Sequence, residues 1–405
     1  MFDVETYAII KKRIASGIGG STSGSTINDA EISEDTMLSS QKIVDTVCPP
    51  FSVSGPIVQC TPVENYELGV KVDIVPVQEG EGDPSPENVR PIVGWDNVNV
   101  WRAGKNLLDW SKVSAFVFPA YGLSFEKKEN SIRIFGTSTQ NGYSSFNIAT
   151  TTQSELYGKN FIFSWFTNEE NVINIYGLRT TSENAIAINM NLTEGSSYDF
   201  TIQIAVGTEK LTSYEPYRGQ NYTVQLGQTV YGGTVSINNG VAQTNYTVVE
   251  FDGSDDENWR KLQHESGKIY YRTKVLKNVI NANDPSKWMC NRLQPHQFNY
   301  ADINYPTFSI GFQSDRISVC IVLENESTLS VEEFKVWLGE NPVQFVYDSD
   351  LADLNFDPKT ITSISGTNTL YADAGNITVT GVSDPGAAIA TLQDRLTALE
   401  NNTLN

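Results

Sequence analysis

Apolar positions near the N-terminus recur at helical spacing. Val4, Tyr7, Ile10 and Ile14 fall three and four residues apart, which gathers them on one face of a short helix over residues 1–16. Asp3 can cap its start, Lys11, Lys12 and Arg13 suit the negative end of its dipole, and Gly17, Gly19 and Gly20 stop it. A helix this short is marginal alone in water, so its apolar face needs a partner, either sister chains or a docking protein. Residues 17–34 open on a Gly/Ser-rich run and read as a flexible linker. A second short helix is predicted within 35–50, ending where Pro49 and Pro50 forbid continuation.

From residue 51 the period drops to two. Val70, Val72 and Ile74 alternate with Lys71 and Asp73, as in a half-buried strand, and Val75 with Pro76 marks its end. Glu79 to Pro86 holds four glycines and prolines in eight residues, a turn-rich connection. Residues 106–218 read as a β-sandwich. Its predicted strands include Ser131–Gly136, the nearly continuous apolar run Phe161–Phe166 that suits a two-sided core, Val172–Tyr176 and Tyr198–Ile204. Beyond 219 strands and hairpins continue. Asn239-Gly240 signals a tight hairpin, a brief helix with a cap-like start falls at 330–338, and Asn376–Thr380 is the last strand.

The final element, 383–405, starts a helix at Ser383-Asp384-Pro385. Ile389, Leu392, Leu396 and Leu399 then give two heptads of a/d positions. Two heptads cannot hold chains together unaided, but they can lock a trimer already held by its β-domains. The alternative is a helix that packs this stripe on its own domain. The predicted class is therefore mainly β, with sandwich or jelly-roll domains between a short N-terminal helix and a C-terminal coiled-coil helix.

Composition agrees with strands: 18 Tyr, 18 Phe and 7 Trp accompany abundant β-branched residues, and 405 residues leave room for two to three domains. The net charge of -20 repels phosphate backbones, so no nucleic-acid partner is expected, and it keeps the chain soluble. No apolar run approaches a bilayer-spanning length, so no membrane insertion is expected. The opening residues show no basic-then-apolar leader, which points to folding in a cytoplasm. Asn-x-Thr triplets such as Asn191-Leu192-Thr193 then read as strand and turn composition, not glycosylation sites.

The chemistry-bearing residues are sparse. Cys48, Cys60, Cys290 and Cys320 form no CxxC pair, and His264 and His296 lie in no metal-ligand spacing, so no metal and no cofactor is expected. Asp252, Ser254, Asp256 and Asn258 copy the start of a calcium loop, yet Glu257 stands where glycine is required and Gln263 where glutamate is. GxSxG, Walker A and GxGxxG motifs are missing, and no motif marks a glycosidase carboxylate pair, so the chain reads as a non-enzyme. Flat aromatic faces beside amides and carboxylates are what bind sugars. Trp110, Tyr121, Tyr143, Trp165 and Tyr176 are candidate platforms. Trp165 belongs to an all-apolar strand and is expected in the core, which leaves Trp110, Tyr121 and Tyr143 as the glycan-binding set.

Several phrases resemble a family of virion structural proteins from phages and prophages of Gram-positive, often gut, bacteria, described as tail-fibre, head-fibre, baseplate or minor structural proteins. They are Gly82-Asp83-Pro84-Ser85-Pro86-Glu87-Asn88-Val89-Arg90-Pro91-Ile92, Gly94-Trp95, Gly104-Lys105-Asn106-Leu107-Leu108, Tyr214-Glu215-Pro216-Tyr217, Leu226 to Gly233, and Tyr371-Ala372-Asp373-Ala374-Gly375. The opening Asp3-Val4-Glu5-Thr6-Tyr7 looks like the first helix of such fibres, where it serves attachment to the virion. The resemblance implies a nested layout: one outer β-domain at 51–105 and 219–382, with 106–218 inserted like a carbohydrate-binding module. It implies a homotrimer within a virion, contacting other structural proteins of the baseplate, tail, neck or capsid and host cell-surface polysaccharide. A head-fibre or neck decoration with a structural role only is the alternative, and a glycan depolymerase a more distant one.

Overall fold

The computed structural model describes residues 50–115, 121–153, 161–167, 185–264, 267–274, 279–298, 306–313, 318–323 and 328–384. The stripe Val4, Tyr7, Ile10 and Ile14 expected to serve attachment, the helix expected within 35–50, the strand expected to end at Tyr176 and the stripe Ile389, Leu392, Leu396 and Leu399 lie outside these residues. What is described is mainly β, with one α-helix and almost wholly antiparallel sheets.

The chain begins with β1 (Pro50–Gly55), β2 (Ile57–Cys60), β3 (Glu67–Ile74), β4 (Val77–Gln78), β5 (Ile92–Val93) and β6 (Trp95–Ala103). It then makes a first excursion through β7 (Val113–Ala115), β8 (Leu123–Lys127), β9 (Ile132–Thr137), β10 (Gly142–Thr151), β11 (Ile162–Phe166), β12 (Ala185–Leu192) and β13 (Ser197–Gly207). It returns as β14 (Gln220–Val230), β15 (Gly233–Ser236) and β16 (Val241–Phe251). A second excursion holds β17 (Arg260–Gln263), β18 (Ile269–Lys274), β19 (Trp288–Cys290), β20 (Gln294–Pro295), β21 (Ser309–Phe312), β22 (Ser318–Val322) and α1 (Val331–Glu340). The chain closes with β23 (Val343–Asn355), β24 (Ile361–Thr362), β25 (Asn368–Ala372) and β26 (Asn376–Val382).

Two sheets make the body. One runs β1-β26-β3-β15-β16-β23-β19, with β24 also on β3, and the other runs β14-β6-β25-β2. Strict alternation explains their shared core. Val70, Val72 and Ile74 of β3 point one way, as Val98 and Val100 of β6 and Ile377 and Val379 of β26 do, and all join one buried cluster. The β15–β16 hairpin turns through Asn239 and Gly240. Gly240 has φ +65, and a Cβ there would lie 2.4 Å from the Phe356 carbonyl oxygen.

The first excursion leaves after β6 and rejoins at β14, which pair with each other. Its sheets β12-β10-β7 and β11-β13-β9-β8 supply one apolar cluster that includes Leu123, Ile134, Phe146, Ile188, Met190 and Ile202. Tyr371 of the body joins that cluster and stacks on Trp101 at 5.5 Å. The apolar run at 161–166 lies on a sheet margin: β11 pairs with β13 alone among the described strands, and Ile162 is 46% exposed. Phe163 and Trp165 still face the core, and the Lys210 ammonium covers the Trp165 ring at 5.6 Å, so the run is apolar without being central.

The second excursion leaves at Phe251 and rejoins at Val343, directly opposite each other in the β16–β23 ladder. Its sheet β17-β18-β22-β21-β20 is antiparallel except for β20–β21. Every residue of β21 and β22 is buried, because apolar clusters lie on both faces of these strands. The helix expected at 330–338 is α1. Ser330 and Glu333 form a reciprocal capping box, and Phe334 stacks on Tyr271 at 3.8 Å.

The described chain starts and stops in one place. Pro50 pairs with Val382 in the β1–β26 ladder.

Candidate functional site

Trp110 does not belong to a surface site. Asp109 caps a short 3-10 turn at Trp110–Lys112, its carboxylate accepting from the Ser111 N–H, and this turn swings the indole inward. The ring is 2% exposed and its N–H donates to the Ile204 carbonyl at 3.1 Å, so it is a core residue with its polar atom satisfied. Trp165 is half-buried beneath Lys210, and Tyr176 lies outside the described residues.

Tyr121 and Tyr143 do reach solvent, at 48% and 56% exposure. Tyr121 occupies a left-handed turn with φ +55, and Gly122 follows at φ +81. A Cβ on Gly122 would lie 2.0 Å from the Thr137 carbonyl oxygen, so glycine is required there. The Tyr121 carbonyl accepts from the Thr139 N–H, which ties the turn to the loop before β10, and the ring meets Phe146 edge-on at 5.8 Å. Tyr143 stands near the start of β10, opposite Asn191 of β12, with Ser145 opposite Asn189 on the same outward face.

Two loops complete this end of the first excursion. The Ser138 N–H donates to the Ser196 carbonyl and the Gly195 N–H to the Ser138 carbonyl. The Asn141 side-chain carbonyl accepts from the Glu194 N–H at 2.8 Å, and the Tyr198 hydroxyl accepts from the Thr193 N–H at 3.0 Å. Exposed Asn141, Tyr143, Asn191 and Glu194 thus lie together where β10 and β12 meet their cross-bonded loops, and exposed Tyr121 sits on the neighbouring turn tied to Thr139. Aromatic C–H-accepting faces, amide donors and acceptors and one carboxylate suit a neutral, hydroxyl-rich ligand. Among the described residues 121–122, 138–143 and 191–196 there is no lysine or arginine. The reading of the sequence missed Asn141 and Glu194. Their signal was the pair of turn dipeptides Asn141-Gly142 and Glu194-Gly195 next to the ends of β10 and β12.

The calcium-like run at 252–258 is spent on its own loop. The Asp252 carboxylate accepts from the Ser254 N–H at 2.9 Å and hydroxyl at 2.6 Å, and these bonds hold it below the usual carboxylate range. The Glu257 carboxylate accepts from the N–H groups of Asp252 and Gly253 and from the Trp259 indole, while Asp255 pairs with Lys335. Burial outweighs those bonds at Glu257 and raises its pKa. Among the described residues, no group of three or more His, Cys, Asp or Glu could hold a metal ion. Comparison of the chain with known protein families, curated proteins and solved structures gave no match.

Proposed function

We propose that this chain is a structural fibre and receptor-binding subunit of a phage or phage-like particle, with no catalytic role. Its N-terminal stripe attaches it to other virion proteins, and the Ile389–Leu399 stripe holds three copies together. The first excursion is a β-sandwich inserted in the outer β-domain, and its Tyr121–Tyr143 rim contacts host surface polysaccharide.

The observation that carries this reading is the pairing of Pro50 with Val382. Pro50 and Val382 meet at one end of the large sheet and the second excursion leaves its far end at Phe251 and Val343, so the first end can be devoted to attachment and chain count while the second excursion stands clear of it. The resemblance supports the same reading. Its phrases supply residues that clamp the chain where excursions meet the body: Asn106 at the neck of the first, and Arg90, whose backbone N–H donates to the Asn291 carbonyl of the second. The test is binding of the full chain to host cell-wall polysaccharide. Tyr121→Ala with Tyr143→Ala is expected to weaken it by about tenfold, roughly 1.4 kcal/mol, in keeping with two aromatic contacts. Equal binding by variant and parent would sink the receptor role of this rim.

A further inference from the structure

The second excursion carries a cationic ladder that the rest of the chain's charge does not explain. Arg260 of β17 lies directly opposite Arg272 of β18, and Lys274 follows two residues on, on the same face. Like charges placed opposite each other in an antiparallel pair oppose folding. Arg272 is nonetheless positioned: its guanidinium donates to the side-chain carbonyl of Gln313 at 3.1 Å, and Gln313 is 1% exposed. Arg260 and Lys274 are exposed, and neither side chain has a hydrogen bond or ion pair with a described residue. Several other basic residues are engaged. Arg133 pairs with Asp199 and Lys335 with Asp255, while Arg90, Arg102, Arg218 and Arg292 donate to backbone carbonyls.

The ladder belongs to the excursion that leaves the large sheet at the end opposite the Pro50–Val382 pair. Ser54, Thr378, Lys71, Ser236, Val241 and Asn355 form one continuous row across the large sheet. The Pro50–Val382 pair lies four residue steps to one side of that row, and the second excursion leaves ten steps to the other, at Phe251 and Val343. At ~3.3 Å per residue the two ends of the sheet are roughly 45 Å apart, less the shortening from twist.

We infer that Arg260, Arg272 and Lys274 form a binding face for a phosphate group carried on a surface polymer. Guanidinium forks match phosphate oxygens in pairs, and a neighbouring ammonium adds a third positive charge. The overall charge of -20 does not forbid this, because screening over about 8 Å leaves the local cations in control. A face this small suits phosphates spaced along a flexible saccharide or polyol chain. Duplex DNA would instead press dense negative charge against an acidic protein. The anion site stands on its own residues, and only the source of the phosphate rests on the receptor-binding reading.

The experiment uses the full chain titrated with a polyglycerol phosphate, with neutral dextran and duplex DNA as controls. Polyglycerol phosphate should bind at low salt, weaken as salt rises, and bind at least about tenfold less tightly to the variant carrying Arg260→Gln and Lys274→Gln, as loss of two phosphate contacts implies. Both residues are exposed and Arg260 faces a like charge, so a thermal unfolding midpoint equal to or above the parent's should accompany that loss. The Tyr121→Ala, Tyr143→Ala variant should bind the polymer like the parent even where it loses neutral glycans, which separates this site from the rim. No binding at low salt, unchanged binding by the Gln variant, or DNA binding as tight as the polymer's would each overturn the inference.

Discussion

Single side chains that bridge backbone segments hold this molecule's junctions. Asn106 is fully buried, accepts from the N–H groups of Leu108 and Val206 at 3.0 and 3.1 Å, and donates to the Glu215 carbonyl at 2.9 Å. Arg90 donates to the carbonyls of Glu79, Gly80 and Gly82, and Asn88 to those of Glu81 and Asp83. Such bonds follow no period, so in the sequence they surface as recognisable phrases and not as elements. Asn106→Ala strands two buried N–H groups, and equilibrium denaturation should show a loss of about 2–4 kcal/mol.

Titration behaviour belongs to this scale as well. Cys60 and Cys290 are buried, and burial pushes both thiols up to about 12, so neither should react with Ellman's reagent at neutral pH until the chain unfolds. Glu257 has its pKa raised in the folded state, so the folded chain holds that proton more tightly than the unfolded one. Its contribution to stability therefore falls as pH rises through the window above the ordinary glutamate value. Glu257→Gln abolishes that dependence. Parent stability relative to this variant should decline from acid to neutral pH, and a pH-independent difference would refute the assignment.

At the scale of elements, alternation was a sound guide where one face alone is buried. β3 and β26 were legible from Val70, Val72, Ile74 and Ile377, Val379. The run at 161–166 and the stretch around Trp110 were not. Lys210 shields an apolar margin strand in the first case, and a capped 3-10 turn carries an aromatic into the core from loop-like sequence in the second. The turn at Asn239-Gly240 was legible from its dipeptide, whereas the turn at Gly375 was not read as one. Gly375, between β25 and β26, has φ +58 and would place a Cβ 1.8 Å from the Asp73 carbonyl oxygen. Gly375→Ala should cost about 2–4 kcal/mol in a denaturation experiment, since both strain and a clash oppose it. Ser330→Ala removes one half of the α1 capping box and should cost about 1 kcal/mol.

The described residues make a two-sheet body with two excursions, whose first and last strands pair with each other. Residues 219–382 read in the sequence as one run of strands, because the second excursion repeats the body's period and has no composition of its own. Its separate cluster around Trp259, Tyr271, Trp288, Phe312 and Phe334 becomes visible only through long-range pairing. The rim was partly legible: exposed Tyr121 and Tyr143 stood out as aromatics near turns, but Asn141 and Glu194 join them only through cross-loop bonds.

Attachment to a particle through the segment that precedes Pro50 is the central claim, and removal of residues 1–27 tests it most directly. Particles assembled with the truncated chain should contain almost none of it on immunoblot, although the purified chain keeps the unfolding midpoint of the parent. Incorporation equal to that of the full chain would contradict the account.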